Sequence, residues 1–140
     1  MPRVRTSVAK RLFEALSRAT DKRLVKAIHD CSDGGLGVSL AEMSFAGGLG
    51  AEVFLQQVPY ISNNKRDDFI LFSESNSRFI VEVKRDRQKE FERALKGLPF
   101  GLIGCISGRK NLSIYGLDGK LCVNSNIDIL KEAWRSKLQW

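Results

Sequence analysis

Two aspartates, a serine and two adjacent glycines are crowded into His29–Met43, "HDCSDGGLGVSLAEM", directly before an apolar segment. Gly34 and Gly35 can adopt positive φ and so bring backbone N–H groups close to a ligand. A helix N-terminus favours an anion, and Asp30 or Asp33 could hold Mg²⁺ against a phosphate. The alternative is structural, with the serine or Asp33 capping the helix while the glycines form the turn. The residue types alone leave both interpretations open.

A second polar cluster, Ser-Glu-Ser-Asn-Ser-Arg, occupies Ser73–Arg78 between two apolar stretches. Arg78 could bind a phosphate or a carboxylate in a bidentate manner, and Glu74 could accept a hydrogen bond from an amine or a hydroxyl. Ser73 and Ser75 add hydroxyl groups to the same short connection. The alternative is a polar turn with an internal Glu–Arg ion pair.

The composition restricts the classes of protein that this chain can represent. Its 140 residues suit one domain, residues 1–140, or one piece of a longer protein. No apolar run approaches the roughly 18–20 residues that span a bilayer, and the start does not resemble a signal peptide. We therefore expect a cytoplasmic protein that makes no membrane contact.

The net charge of +7 comes from 23 basic and 16 acidic residues in short mixed runs. These runs are interrupted by acidic and apolar residues. They are accompanied neither by a row of aromatic residues on which bases could stack nor by a nucleic-acid-binding motif. We therefore expect no nucleic-acid partner, whereas attraction to an anionic small molecule or to an acidic partner surface remains open.

The cysteines and the single histidine give no independent sign of a catalytic site. Cys31, Cys105 and Cys122 are an odd number without metal-ligand spacing, so we interpret them as reduced thiols. His29 could act as a general base, but a lone histidine beside a strand is more often structural. No catalytic residue is therefore assigned.

Hydrophobic periodicity predicts helices that alternate with strands. The spacing of Val8, Leu12, Leu16 and Ala19 predicts a first helix, with Thr6 or Ser7 as its cap. Further helices are predicted over Leu36–Phe45 and Arg87–Lys96, and Ile127, Leu130, Trp134 and Leu138 mark a closing helix. Strands are predicted over Ala51–Leu55, Phe69–Phe72, Phe79–Val83, Leu102–Ile106, Leu112–Tyr115 and Leu121–Val123, with a hairpin turn at Asp118–Gly119. Leu24–His29 is either a short helix or an extended segment, and residues 61–67 form a surface loop. The pattern predicts one α/β (α+β) domain in which helices cover a mixed sheet.

The order of three segments resembles a known family. "HDCSDGGLGVSLAEM", followed by "GLGAEVFL" and then by "LFSESNSRFIVEV", is similar to the C-terminal domain of phosphoribosylformylglycinamidine synthase, in the aminoimidazole ribonucleotide synthetase-like superfamily. "LKEAW" at Leu130–Trp134 is similar to the final helix of that enzyme. The resemblance extends from about Val25 to Trp134.

The resemblance implies part of an ATP-dependent ligase of purine biosynthesis. The family enzyme converts formylglycinamide ribonucleotide to the amidine with ATP, Mg²⁺ and ammonia released from glutamine. It implies contacts with an upstream ATP-type domain, a glutaminase subunit and a small accessory subunit. It also implies phosphate or substrate binding by Ser32, Gly34, Gly35, Ser73, Glu74, Ser75 and Arg78, and metal binding by Asp30 and Asp33.

The family's ATP-type domains, main Mg²⁺ carboxylates and catalytic histidine lie upstream of the region that this chain matches, and His29 does not take that histidine's place. The chain is therefore expected to be a fragment of the ligase that is inactive alone. The alternative is a non-catalytic ligand-binding or assembly module of the same fold. A small basic nucleic-acid binder is a third hypothesis, and it requires salt-sensitive binding to oligonucleotides.

Overall fold

The structure is a computed structural model that describes residues 4–61 and 66–136. Part of the predicted loop over 61–67 and Leu138 of the predicted closing helix lie outside these residues. The helices are α1 (Thr6–Asp21), α2 (Gly35–Gly47), α3 (Asp67–Phe72), α4 (Gln88–Ala94) and α5 (Ile127–Ser136). The strands are β1 (Val25–Asp30), β2 (Gly50–Phe54), β3 (Phe79–Val83), β4 (Gly104–Ser107), β5 (Asn111–Tyr115) and β6 (Leu121–Asn126).

The larger sheet has four strands in the order β4-β2-β5-β6. Strands β2 and β5 are parallel, while β2–β4 and β5–β6 are antiparallel, so the sheet is mixed. Leu112 and Ile114 of β5 are at most 2% exposed and pack in one cluster with apolar residues of α2, α3 and α5. The expected mixed sheet covered by helices is confirmed.

A second, two-stranded sheet pairs β1 with β3 in an antiparallel arrangement. Phe79, Val81 and Val83 of β3 pack against a separate apolar cluster that is built mainly from α1 and α4. The strands are thus divided between two sheets, each with its own buried cluster. The segment Leu24–His29, for which the sequence left two alternatives, is extended and lies mostly within β1.

Helix α2 positions the predicted site, and its sequence explains its burial. Glu42 is its only ionisable residue, so apolar or small side chains cover nearly its whole circumference. Gly48, in the left-handed conformation with a φ of +67°, ends the helix. The helix predicted over Leu36–Phe45 is confirmed and extends from Gly35 to Gly47.

The strand predicted over Phe69–Phe72 is wrong, because these residues belong to α3. Ile70 and Leu71 are buried while the two flanking phenylalanines are about half exposed, which is the pattern of one helical face and not of an alternating strand. Acidic residues precede the apolar run and suit the first turn of a helix. A run of four apolar residues is too short for its periodicity to distinguish a helix from a strand.

The predicted cap of α1 is also wrong. Thr6 is already the first helical residue, and Arg5 before it makes no capping hydrogen bond through its side chain. Among residues 4–61 and 66–136, no helix combines the length and apolar character needed to cross a membrane.

Candidate functional site

The loop Asp30–Gly35 and the turn Ser73–Arg78 lie against each other. The backbone N–H of Gly34 donates to the carboxylate of Glu74 at 3.0 Å. The backbone N–H of Cys31 donates to the carbonyl oxygen of the last residue of the turn at 2.9 Å. The two segments therefore share one side of the domain, and together we call them the loop–turn surface. The turn joins α3 to β3, so the expected strand-to-strand connection is corrected.

The two glycines occupy positions where a side chain does not fit. Gly34 has a φ of +73°, and a Cβ atom there would overlap the side chain of Val38. Gly35 has a φ of +63°, and its Cβ atom would lie 2.7 Å from the carbonyl oxygen of Ser73 and 2.8 Å from that of Leu71. The glycines therefore let the N-terminus of α2 approach the carbonyl end of α3. The expected tight loop before the helix is confirmed, although β1 extends to Asp30.

The hydrogen bonds of the loop–turn surface include neither the side-chain helix cap nor the Glu–Arg ion pair that the two structural alternatives predicted. Within the described residues, neither Ser32 nor Asp33 caps α2 through its side chain, and the Glu74 carboxylate occupies that position instead. The N–H of Gly35 donates to the backbone oxygen of Ser32 at 3.0 Å. No Glu74–Arg78 ion pair forms among these residues. One long-range contact, from the Gly34 N–H to Glu74, thus takes the place of a local side-chain cap, while the Gly35–Ser32 bond stays within the loop.

Arg78 is partly buried and is bonded within the domain. Its guanidinium donates to the Ser73 hydroxyl at 3.1 Å and to the Ile70 carbonyl oxygen at 3.4 Å. The neighbouring Cys31 is 6% exposed, and burial raises the pKa of its thiol. The positive charge of Arg78 and hydrogen bonds with Arg78 and Ser39 oppose this rise in pKa. Arg78 therefore orders the turn and lies beside the buried thiol.

Several side chains of the loop–turn surface are exposed to solvent. They are Asp30, Ser32, Asp33, Glu74 and Ser75. In the part of the chain that the structure describes, no three His, Cys, Asp or Glu side chains are grouped as a metal would require. Two aspartates suit a Mg²⁺ ion that is held largely by phosphate oxygens and water, but they do not form a complete protein cage. Metal binding by Asp30 and Asp33 thus stays a prediction.

Glu42 of α2 was missed by the sequence analysis, although it lies within the quoted motif. One of its carboxylate oxygens accepts from Trp134 Nε1 at 2.9 Å, and the other lies 3.1 Å from His29 Nε2. His29 Nδ1 lies 2.7 Å from the backbone oxygen of Asp30, so the imidazole ring lies between two oxygen atoms. A lone carboxylate on an apolar helix could have indicated such a bridging role.

An apolar cavity of about 310 Å³ lies between α2, α3, α5 and the four-stranded sheet. Phe45, Phe72 and Trp134 are its aromatic lining residues. The rings of Phe45 and Trp134 are 5.8 Å apart. The hydrogen bond between Trp134 and Glu42 therefore fixes α5 over this cavity.

The fold and the loop–turn surface agree with a defined family of domains. The family described as "AIR synthase related protein, C-terminal domain" matches residues 2–116. The chain belongs to this family.

Two curated relatives have the same name, phosphoribosylformylglycinamidine synthase subunit PurL. The protein from Alkaliphilus metalliredigens is 34% identical over 141 residues, which cover 99% of this chain and 18% of that protein. The protein from Moorella thermoacetica is 38% identical over 118 residues, which cover 82% of this chain and 15% of that protein. The chain thus spans less than a fifth of the length of these relatives.

Solved structures of Thermotoga maritima PurL have the same fold. The complex with ATP has a TM-score of 0.78 and 25% identity, covering 86% of this chain and 21% of that one. The complex with FGAR has a TM-score of 0.78 and 27% identity, covering 87% of this chain and 20% of that one. These similarities confirm the predicted family resemblance at the level of sequence and of fold.

Proposed function

We propose that this chain is the C-terminal domain of a phosphoribosylformylglycinamidine synthase, the ATP-dependent ligase that forms formylglycinamidine ribonucleotide in purine biosynthesis. The observation that carries the proposal is the direct contact between the loop Asp30–Gly35 and the turn Ser73–Arg78. Both lie within stretches whose sequences resemble the family. The similarity to PurL along 99% of the chain supports the same assignment.

In this proposal the loop–turn surface forms one wall of a cleft whose other wall belongs to an upstream ATP-type domain. Ser32, Ser75 and Glu74 are exposed and offer hydroxyl and carboxylate groups to a ribonucleotide or a nucleotide phosphate. Asp30 and Asp33 would meet a Mg²⁺ ion through the phosphates. The backbone of Gly34 and Gly35 and the side chains of Ser73 and Arg78 hold these groups in place and line the same wall.

The further components of the proposed enzyme follow from the resemblance. The whole ligase would use ATP and Mg²⁺, would receive ammonia from a glutaminase subunit, and would include a small accessory subunit. Its proposed compartment is the cytoplasm, and its proposed partners include neither nucleic acid nor membrane.

The test is a titration of the purified chain with formylglycinamide ribonucleotide and with Mg-ADP. Binding is monitored through the NMR chemical shifts of the backbone amides of the loop–turn surface. Ser32 and Ser75 are exposed and make no side-chain hydrogen bond among the described residues, so their replacement by alanine leaves the fold intact. The double variant S32A/S75A should weaken binding by about tenfold, as expected for two lost hydrogen bonds. The matched control is Ser17→Ala, which removes an exposed hydroxyl from α1.

The second candidate function is a non-catalytic binding or assembly module. It is favoured by two contacts that use groups expected to bind phosphate, since Gly34 donates to Glu74 and Arg78 donates to Ser73. If neither ligand moves the loop–turn amides at millimolar concentration, with the upstream domain present in trans, the ligase assignment fails and the module is the better description.

A further inference from the structure

The positive charge of the chain is concentrated in one part of the fold. Residues 5–26 and 84–97, which we call the basic lobe, contain thirteen Lys and Arg residues against five Asp and Glu residues, a net charge of +8. The remainder of the chain has ten basic and eleven acidic residues, a net charge of −1. The excess of +7 therefore lies within the basic lobe.

The two segments of the basic lobe form one continuous surface. Helix α1 contributes Leu16 and α4 contributes Phe91 to the same buried cluster, together with Leu95 just beyond α4. At the end of α4 the Arg11 guanidinium donates to the carbonyl oxygen of Gly97 at 3.1 Å. The two helices thus pack against each other, and Arg11 of α1 lies at the end of α4.

Most of these cations lack an acidic partner. Among the described residues, three basic side chains of the lobe lie within 4.0 Å of a carboxylate. These ion pairs are Arg18–Glu14 at 4.0 Å, Lys26–Glu82 at 3.3 Å and Arg87–Glu90 at 2.9 Å. Because ten of the thirteen cations remain without such a pair, the lobe presents a strongly positive field to solvent.

Helix stability does not account for this arrangement. Cations stabilise the C-terminal turn of a helix and are unfavourable near its N-terminus. Arg93 and Lys96 at the end of α4 follow that preference, whereas Lys89 shares the first turn with Glu90, and Lys84 and Arg85 precede the helix. Helix α1 has no acidic residue in its first turn. Helix stability thus gives no reason for Lys84, Arg85 and Lys89, and binding of a partner would supply one.

A shallow groove of about 530 Å³ lies on α4 within this surface. Lys89, Arg93 and Lys96, at spacings of four and three residues, line it along one face of the helix. The ring of Phe100 lines the same groove and is 43% exposed. Glu92 also lines the groove, which thus combines three positive charges and one carboxylate with an accessible aromatic surface.

We propose that the basic lobe is the docking surface for an acidic protein segment, with the groove on α4 receiving acidic side chains and one apolar side chain against Phe100. A protein fits better than a nucleic acid because Glu14, Glu90 and Glu92 are interspersed with the cations and would repel a uniformly charged phosphate chain. A protein segment can offer charges of both signs. Phe13 and Phe100 are the exposed aromatics of the described lobe and its border, too few for stacking along a strand.

The probe is a fluorescent peptide of alternating glutamate and leucine, titrated against the whole chain at several salt concentrations. We expect binding that weakens with salt and falls at least about tenfold in the variant K89E/R93E/K96E. The control R109E/K120E/K131E changes the net charge equally, but at exposed positions in the β4–β5 loop, the β5–β6 turn and α5. It should retain affinity within about twofold. Phe100→Ala should weaken binding of this peptide but not of polyglutamate.

Three results would overturn the proposal. The first is an equal loss of peptide affinity in the two charge-reversal variants. The second is an oligothymidylate of equal charge that binds as tightly as the peptide. The third is the absence of peptide binding at low salt. Thermal unfolding followed by circular dichroism checks that both variants fold. If charge reversal prevents folding, K89Q/R93Q/K96Q replaces it with the same expected loss.

Discussion

At Gly35 the backbone has a φ of +63°, and a Cβ atom would lie 2.7 Å from the Ser73 carbonyl oxygen. Replacement by alanine must therefore both strain the left-handed backbone and separate α2 from α3. We expect Gly35→Ala to lower the free energy of unfolding by about 3 kcal/mol, measured by urea denaturation. Gly47→Ala is the matched control, since nothing lies within 4 Å of its Cβ position and no loss of stability is expected. Equal stabilities of the two variants would contradict the packing explanation.

The thiol of Cys31 should make stability depend on alkaline pH. Burial is the largest effect on its pKa and raises it, so the folded state keeps the proton to a higher pH than the unfolded chain does. The protonated thiol therefore contributes to the free energy of unfolding below its pKa in the unfolded chain, which is about 8.5. This contribution is lost as the pH rises through the pKa of the thiol in the folded state.

We therefore expect Cys31→Ala to show a smaller loss of unfolding free energy between pH 7 and pH 10 than the parent chain, measured by urea titration. The control is Cys105→Ala, at an exposed thiol, which should retain the parent's pH dependence. If Cys31→Ala loses as much stability as the parent over this range, the buried thiol is not responsible.

Among the elements, α2 connects β1 with α5 through the two oxygens of Glu42. Trp134→Phe keeps an aromatic ring beside Phe45 but removes the N–H donor, and it should cost about 1 kcal/mol. In the background of Glu42→Ala, which removes the acceptor, the same substitution should cost less. We expect a coupling energy of about 0.5–1 kcal/mol from the four urea denaturation curves of this double-mutant cycle. Additive losses would show that the hydrogen bond does not stabilise the position of α5.

At the scale of the whole molecule, the loop–turn surface is exposed and supplies one side of the proposed cleft. Phosphoryl transfer requires metal ions and donors arranged around the transferred group, which a single wall does not provide. We therefore predict that the chain alone neither hydrolyses ATP nor forms the amidine from formylglycinamide ribonucleotide and ammonia. A coupled assay of ADP release checks this. Activity should appear when the upstream region of a PurL protein is added, and turnover by the chain alone would contradict the fragment interpretation.

Local patterns made much of the fold predictable. The period of apolar residues located α1 and α2, the Asp118–Gly119 pair located the β5–β6 hairpin, and the glycine pair located the start of α2. Each of these features depends on residues within one or two turns of each other. Where the local pattern was ambiguous, in the four apolar residues of Phe69–Phe72, the prediction failed.

The sequence by itself determined the family, the class of fold and the two segments that form the loop–turn surface. The tertiary structure alone decided which groups in those segments are bonded and which are exposed. Glu74 bonds to Gly34 across 40 positions, and Trp134 bonds to Glu42 across 92. The same folding packs α1 against α4, the two helices of the basic lobe. Partners so far apart in the chain meet only because the buried clusters fix the relative positions of the helices and sheets, and no local spacing in the sequence records that geometry.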